Sequence, residues 1–114
     1  MKMDIVLQTD FGGDSGYAAS MYGTMKLADR ELKIYDLTHE IRPFDIRQAS
    51  GLLRRTIPFW PAETVFVSVV DPGVGTDRRA CAVRLKNGSY VVTPDNGTLT
   101  EIFDFIDEVR QIDA

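Results

Sequence analysis

The chain has 114 residues, 44% of them hydrophobic and 26% charged, with a net charge of −4. That length allows one domain, and burial of roughly two-thirds of the unfolded surface makes a self-sufficient core feasible. The composition excludes a disordered chain, the acidic balance argues against nucleic acid or an anionic membrane as partner, and no apolar run approaches the ~18 residues of a membrane span.

The opening MKMDIVLQTD carries an acid inside a short apolar run and has no small-residue cleavage site, so it reads as a strand rather than a signal peptide. Ile5, Val6 and Leu7 lead to Gln8, Thr9 and Asp10, and a Gly-rich loop, FGGDSG, follows. Tyr17, Ala18, Met21, Met25 and Ala28 then recur at helical spacing. ELKIYDL alternates as a second strand, and HEIRPFD is a loop in which Pro43 excludes a strand interior. Asp45 and Gln48 have the spacing of a capping box, and Ile46, Ala49, Leu52, Leu53 and Ile57 mark one helical face that Pro58 stops. Phe59 and Trp60, set between prolines, read as packing that seats the next strand.

TVFVSVV is rich in β-branched residues and apolar enough to be buried on both faces of a parallel sheet. RRACAVRLK, the turn pair Asn87–Gly88 and SYVVTP read as a hairpin. Within it Cys81 alternates with Val83 and Leu85, which puts the lone cysteine on a core face and fits a reducing, cytoplasmic setting. Thr98 and Glu101 are spaced to cap a helix over LTEIFDFID, and EVRQIDA reads as a last strand.

This order, β-α-β-α-β-β-β-α-β, predicts one α/β domain over residues 1–114, a Rossmann-like three-layer arrangement with a mostly parallel sheet. In such sheets ligands gather at the carboxyl ends of the strands. Loops 10–16, 38–45 and 71–79 leave carboxyl ends carrying acids or glycines, and PDNG at 94–97 leaves a fourth just before a helix N-terminus.

Each motif also has an ordinary structural reading. Pro72–Gly73 suits a type II turn, and Asp71 before it is normal turn chemistry. GVGTDR lacks the third glycine of a dinucleotide fingerprint and no helix follows it. Asp10 serves equally as a loop cap, and Asp95–Asn96–Gly97 as a turn. His39 is the only histidine, which fits a loop hydrogen bond and rules out a histidine pair for a metal. Asp10, Asp36 and Asp71 are the right ligand type for magnesium, but their spacing gives that no specific support.

Together the motifs are more specific. TDFG (9–12), MYG (21–23), DLTHEIRPFDI (36–46), TVFVSVVDPGVGTDRR (64–79) and PDNGTLT (94–100) occur in this order. The chain closely resembles the S-adenosylmethionine (SAM) hydrolases, or SAM hydroxide adenosyltransferases, relatives of the fluorinases and chlorinases. The resemblance implies attack of water on C5′ of SAM, release of methionine and formation of adenosine. The sulfonium is its own leaving group, so neither metal nor cofactor is implied.

By the same resemblance, Asp71 and Arg78 belong to an Asp-Arg-His group that orients or activates the water. A carboxylate beside a guanidinium stays ionised, and so holds and polarises water better than it deprotonates it. Asp10 matches the acid that holds the ribose hydroxyls, a sensible choice because a carboxylate accepts two hydrogen bonds from a vicinal diol. Phe44 matches an aromatic wall near the reacting centre. Tyr17 and Ser15 lie where the methionine end binds, although the family usually has an acid where Ser15 stands and Asp14 is one position away. Asp95 and Asn96 complete the expected substrate contacts.

The resemblance further implies a homotrimer for full-length members. In these a second, mostly β domain follows, supplies most adenine contacts and carries the catalytic histidine; this chain corresponds to the first domain alone. His39 belongs to a different motif. Two alternatives stand: a non-catalytic adenosine- or SAM-binding or assembly module, and a halogenase, which the Asp71 carboxylate disfavours because it repels a halide.

Overall fold

The computed structural model describes residues 3–12, 16–70 and 80–112. The order of elements is β1 (Ile5–Thr9), α1 (Tyr17–Ala28), β2 (Ile34–Thr38), α2 (Ile46–Thr56), β3 (Val65–Val69), β4 (Ala80–Leu85), β5 (Tyr90–Pro94) and β6 (Ile106–Ile112), with short 3-10 turns at Ile57–Phe59 and Thr100–Phe105.

The six strands form one sheet in the order β2-β1-β3-β5-β4-β6. β1 pairs in parallel with β2 and β3, and β3 pairs in parallel with β5. β4 runs antiparallel to both β5 and β6. The chain steps outward from β1 to β2 and then crosses back past β1 to β3. Right-handed crossovers in opposite directions place α1 and α2 on opposite faces.

Side-chain alternation along β1 agrees. Val6 joins the core cluster under α2, with Leu53, Ile57, Phe66, Val83, Val91 and Ile102, and Gln8 bonds the Ala49 carbonyl of α2. Thr9, which points to the other face, reaches the His39 ring and through it Tyr22 of α1. The α/β architecture expected from the sequence is therefore present, with an antiparallel extension at one edge.

α2 forms where the pattern predicts. Asp45 caps it by accepting the Gln48 N–H at 2.9 Å. The return bond of the expected box goes elsewhere: Gln48 Oε1 accepts the Arg42 N–H. Ala49, Leu53 and Ile57 of the predicted face are buried. α1 also forms where predicted, but none of its residues is fully buried and Leu27 is 89% exposed.

Other expectations shift. The hairpin closes through a three-residue loop rather than a two-residue one: Leu85 N–H donates to Ser89 O, and Gly88 takes a φ of +88°, a region glycine enters without steric cost. The segment after residue 98 is a 3-10 turn, not a capped α-helix. Thr98 Oγ1 donates to Asn96 Oδ1 instead of capping, Ser50 Oγ takes the Glu101 N–H, and Ile102 is drawn into the core. Trp60 packs against the core as expected, but Phe59 is 89% exposed.

Candidate active site

Neighbouring parallel strands β2, β1, β3 and β5 bring their carboxyl ends to one rim, and the crossover direction reverses between β1 and β3. Such a switch point opens a crevice, because the connections on its two sides leave in opposite directions.

Asp10 leaves β1 at this rim. Its Oδ2 accepts the Phe44 N–H at 2.8 Å, joining the loop after β1 to the loop after β2. Phe44 holds a left-handed backbone, φ +63°, and its ring is 61% exposed. A non-glycine residue rarely adopts that conformation unless surrounding bonds impose it. Here the Asp45 N–H donates to Arg42 O, the Ile46 N–H donates to Phe44 O, and Asp10 takes the Phe44 N–H. The result is an aromatic face and a carboxylate side by side at the strand ends.

Tyr17, the first residue of α1, is 65% exposed and meets Phe11 edge to face, with ring centroids 5.9 Å apart. Phe11 follows Asp10 directly, so this pair flanks the same strand end. Across the crevice, the Asn96 amide donates to Val70 O at 2.8 Å, fastening the loop after β5 to the end of β3. Asn96 Oδ1 accepts both the N–H and the hydroxyl of Thr98. The Asn96 side chain thus works within the protein, holding the residue that precedes Asp71 in sequence. Asp95 is exposed beside it. Its charge adds to burial in pushing the Cys81 thiol above its ordinary range, burial being the larger cause. Asp71, Arg78 and Ser15 lie outside the described residues.

One cluster carries more than the sequence reading gave it. His39 Nδ1 is 2.7 Å from Thr9 Oγ1, and Nε2 is 2.8 Å from Asp36 Oδ1 and 2.9 Å from the Tyr22 hydroxyl. The expected loop hydrogen bond of His39 is therefore a junction of β1, α1 and β2. The available signal was that Thr9, Tyr22, Asp36 and His39 all fall inside the quoted motifs.

Among the described residues no group of three or more His, Cys, Asp or Glu side chains is arranged to hold a metal ion. Nor is any helix among them long and apolar enough to cross a membrane.

Residues 5–114 match the SAM hydroxide adenosyltransferase N-terminal domain. The chain belongs to that family. It is 40% identical over 102 residues to the (R)-S-adenosyl-L-methionine hydrolase of Methanocaldococcus jannaschii, a match covering 86% of this chain and 38% of that protein. A fluorinase from Actinopolyspora mzabensis is more distant, 25% identical over 120 residues, covering 86% of this chain and 40% of the fluorinase. The crystal structure of an uncharacterized conserved protein from Thermotoga maritima superposes with a TM-score of 0.91 at 40% identity, over 96% of this chain and 43% of that one. The chain therefore spans about two-fifths of the length of these relatives.

Proposed function

We propose that this chain forms the ribose- and water-binding part of an enzyme that hydrolyses S-adenosyl-L-methionine to adenosine and L-methionine. The observation that carries the reading is the Asp10–Phe44 junction at the switch point, in a chain whose 40%-identical relative is named for that reaction. Asp10 would receive the ribose hydroxyls, and the Phe44 ring would cover the reacting carbon and exclude bulk water. Tyr17, with Ser15, would border the methionine end, and Asp95 and Asn96 the opposite wall.

In the proposed step a water oxygen bonds to C5′ as the C5′–S bond breaks. Methionine leaves with the electron pair on its now neutral sulfur, and the water loses a proton to solvent. Asp71 and Arg78 are assigned to holding that water in line. Alignment is the large contribution, since a well-placed nucleophile removes roughly 7–11 kcal/mol of barrier. The sulfonium leaves unaided, so the reaction as proposed needs no metal or redox cofactor. For the full-length protein we propose a homotrimer in the cytoplasm, with no nucleic acid or membrane partner.

The second reading is a module that binds adenosine without turnover, favoured by the fact that Asp10 and the exposed Phe44 ring alone offer a nucleoside both a diol acceptor and an aromatic face. Incubation with SAM at neutral pH, followed by chromatography, separates the two. Adenosine and methionine above background, lost in Asp71→Ala, support hydrolysis. Saturable adenosine binding with no product supports the second reading. A halogenated nucleoside formed only with added halide would show halogenase activity instead.

A further inference from the structure

Asp10 and Phe44 come from two different loops, and a nucleoside site needs both in register. The single exposed bond from the Phe44 N–H to the Asp10 carboxylate does not by itself hold such a register, because each end competes with water. The only histidine of the chain sits where the two loops meet the sheet.

His39 grips the first loop twice. Its ring reaches Thr9 Oγ1 on one side of Asp10, and its carbonyl accepts the Gly12 N–H at 2.8 Å on the other. The four residues that present Asp10 are thus held at both ends by one residue of the second loop. The ring is itself anchored: its side chain is 11% exposed, and Nε2 meets Asp36 of β2 and Tyr22 of α1. Five residues further on, Phe44 closes the circuit by donating to Asp10.

The chemistry of the partners fixes the direction of the bonds. A carboxylate only accepts, so in the neutral ring the hydrogen sits on Nε2, shared between Asp36 and the Tyr22 oxygen. Nδ1 is then an acceptor, and the fully buried Thr9 hydroxyl donates to it. Thr9 Oγ1 still accepts the Phe11 N–H at 3.2 Å, so the residues on both sides of Asp10 in sequence are tied to the same hydroxyl.

We propose that His39 is the positioning residue of the ribose site: acting through Thr9, it sets the Asp10 carboxylate against Phe44 without itself touching substrate. This rests on the hydrolase reading only for the identity of the ligand; the clamp itself is tested without it. It makes a distinction among substitutions that a general packing role does not. Asparagine places an amide near the Nδ1 position and keeps the Thr9 contact, whereas glutamine reaches the Nε2 position and keeps Asp36 but loses Thr9.

The test is amide hydrogen exchange by NMR on the whole chain, with adenosine affinity measured in parallel, for His39→Ala, His39→Asn, His39→Gln and Thr9→Val. His39→Ala should speed exchange at Gly12 and Phe44 by about tenfold or more, leave the β4–β5 hairpin amides unchanged, and weaken adenosine binding about tenfold. His39→Asn should restore most of both losses. His39→Gln should restore neither, and Thr9→Val should reproduce both losses. Unchanged exchange at Gly12 and Phe44, acceleration shared equally by the hairpin, or equal rescue by asparagine and glutamine would each overturn the proposal. If the unmodified chain neither binds adenosine nor converts SAM, the reading of this chain as a ribose site that works by itself fails, and the exchange rates alone decide the clamp.

Discussion

The Phe44 N–H donates to the Asp10 carboxylate across 34 residues of sequence, at 2.8 Å. A backbone donor on a carboxylate oxygen fixes where the acid points and where the Phe44 ring begins. Substitutions at Asp10 should therefore separate two effects. Asp10→Asn keeps an acceptor for Phe44 but removes the charge, and should weaken adenosine binding by about 1.5–3 kcal/mol, the usual worth of hydrogen bonds to a charged group. Asp10→Ala removes the acceptor too and should bind more weakly still. Calorimetric titration with adenosine checks this, and equal affinities for the two variants would mean that the link to Phe44 has no part in binding.

Phe44 sits at φ +63°, where a side chain is unwelcome. Phe44→Ala keeps the unfavourable backbone and loses the ring. Phe44→Gly loses the ring as well but relaxes the backbone, so it should be the more stable of the two by about 1 kcal/mol. Both should lose adenosine affinity. Urea unfolding ranks their stabilities; a less stable glycine variant would show that the conformation carries no strain.

Periodicity made most of the elements legible in the sequence, because apolar spacing is a local property. The helical face Ala49–Leu53–Ile57 and the alternation Cys81–Val83–Leu85 both reappear as buried faces. The failures are long-range. Nothing near Glu101 announces that Ser50, 51 residues away, will take its N–H where a capped helix was expected. The site divides in the same way. The motifs pointed to Asp10 and Phe44 separately, and only the parallel pairing of β2 beside β1 brings them together. The His39 junction depends on three elements at once, so it had no local signature beyond the residue types.

Two carboxylates should shape the acid limb of stability. The Gln48 N–H at the cap of α2, helped by the Arg42 guanidinium, holds the Asp45 carboxyl below its ordinary 3.8 despite some opposing desolvation. The Arg54 hydrogen bond and charge do the same for Asp104. A carboxylate with a lowered folded pKa stabilises fully above the unfolded value, and that contribution disappears as pH falls through the folded value. The melting temperature should thus fall as the pH drops below about 3.8. Asp104→Asn should melt below the unmodified chain at neutral pH, and the two curves should converge in acid. Asp104 and Arg54 are both exposed, so added salt should shrink the gap. A gap that persists below both folded values would mean that the Arg54 pairing is not its source.

Gln8 and Phe66 are both fully buried under α2 and ought to behave in opposite ways. Phe66 fills volume in the core cluster, and truncation to alanine should cost about 3–5 kcal/mol. Gln8 donates through Nε2 to Ser68 Oγ at 2.9 Å and to Ala49 O at 3.2 Å, while its Oε1 has no partner among the described residues. Gln8→Met keeps the volume, removes that unsatisfied oxygen and gives up the two donated bonds, so the opposing changes should leave stability within about 1 kcal/mol. Ser68→Ala alone removes a partner from a buried amide and should cost about 1–3 kcal/mol. In the Gln8→Met background the same Ser68→Ala change should cost much less, because no buried donor is then stranded. Denaturant unfolding of the four chains gives the coupling, and simple additivity would mean that the Gln8–Ser68 bond does not contribute in solution.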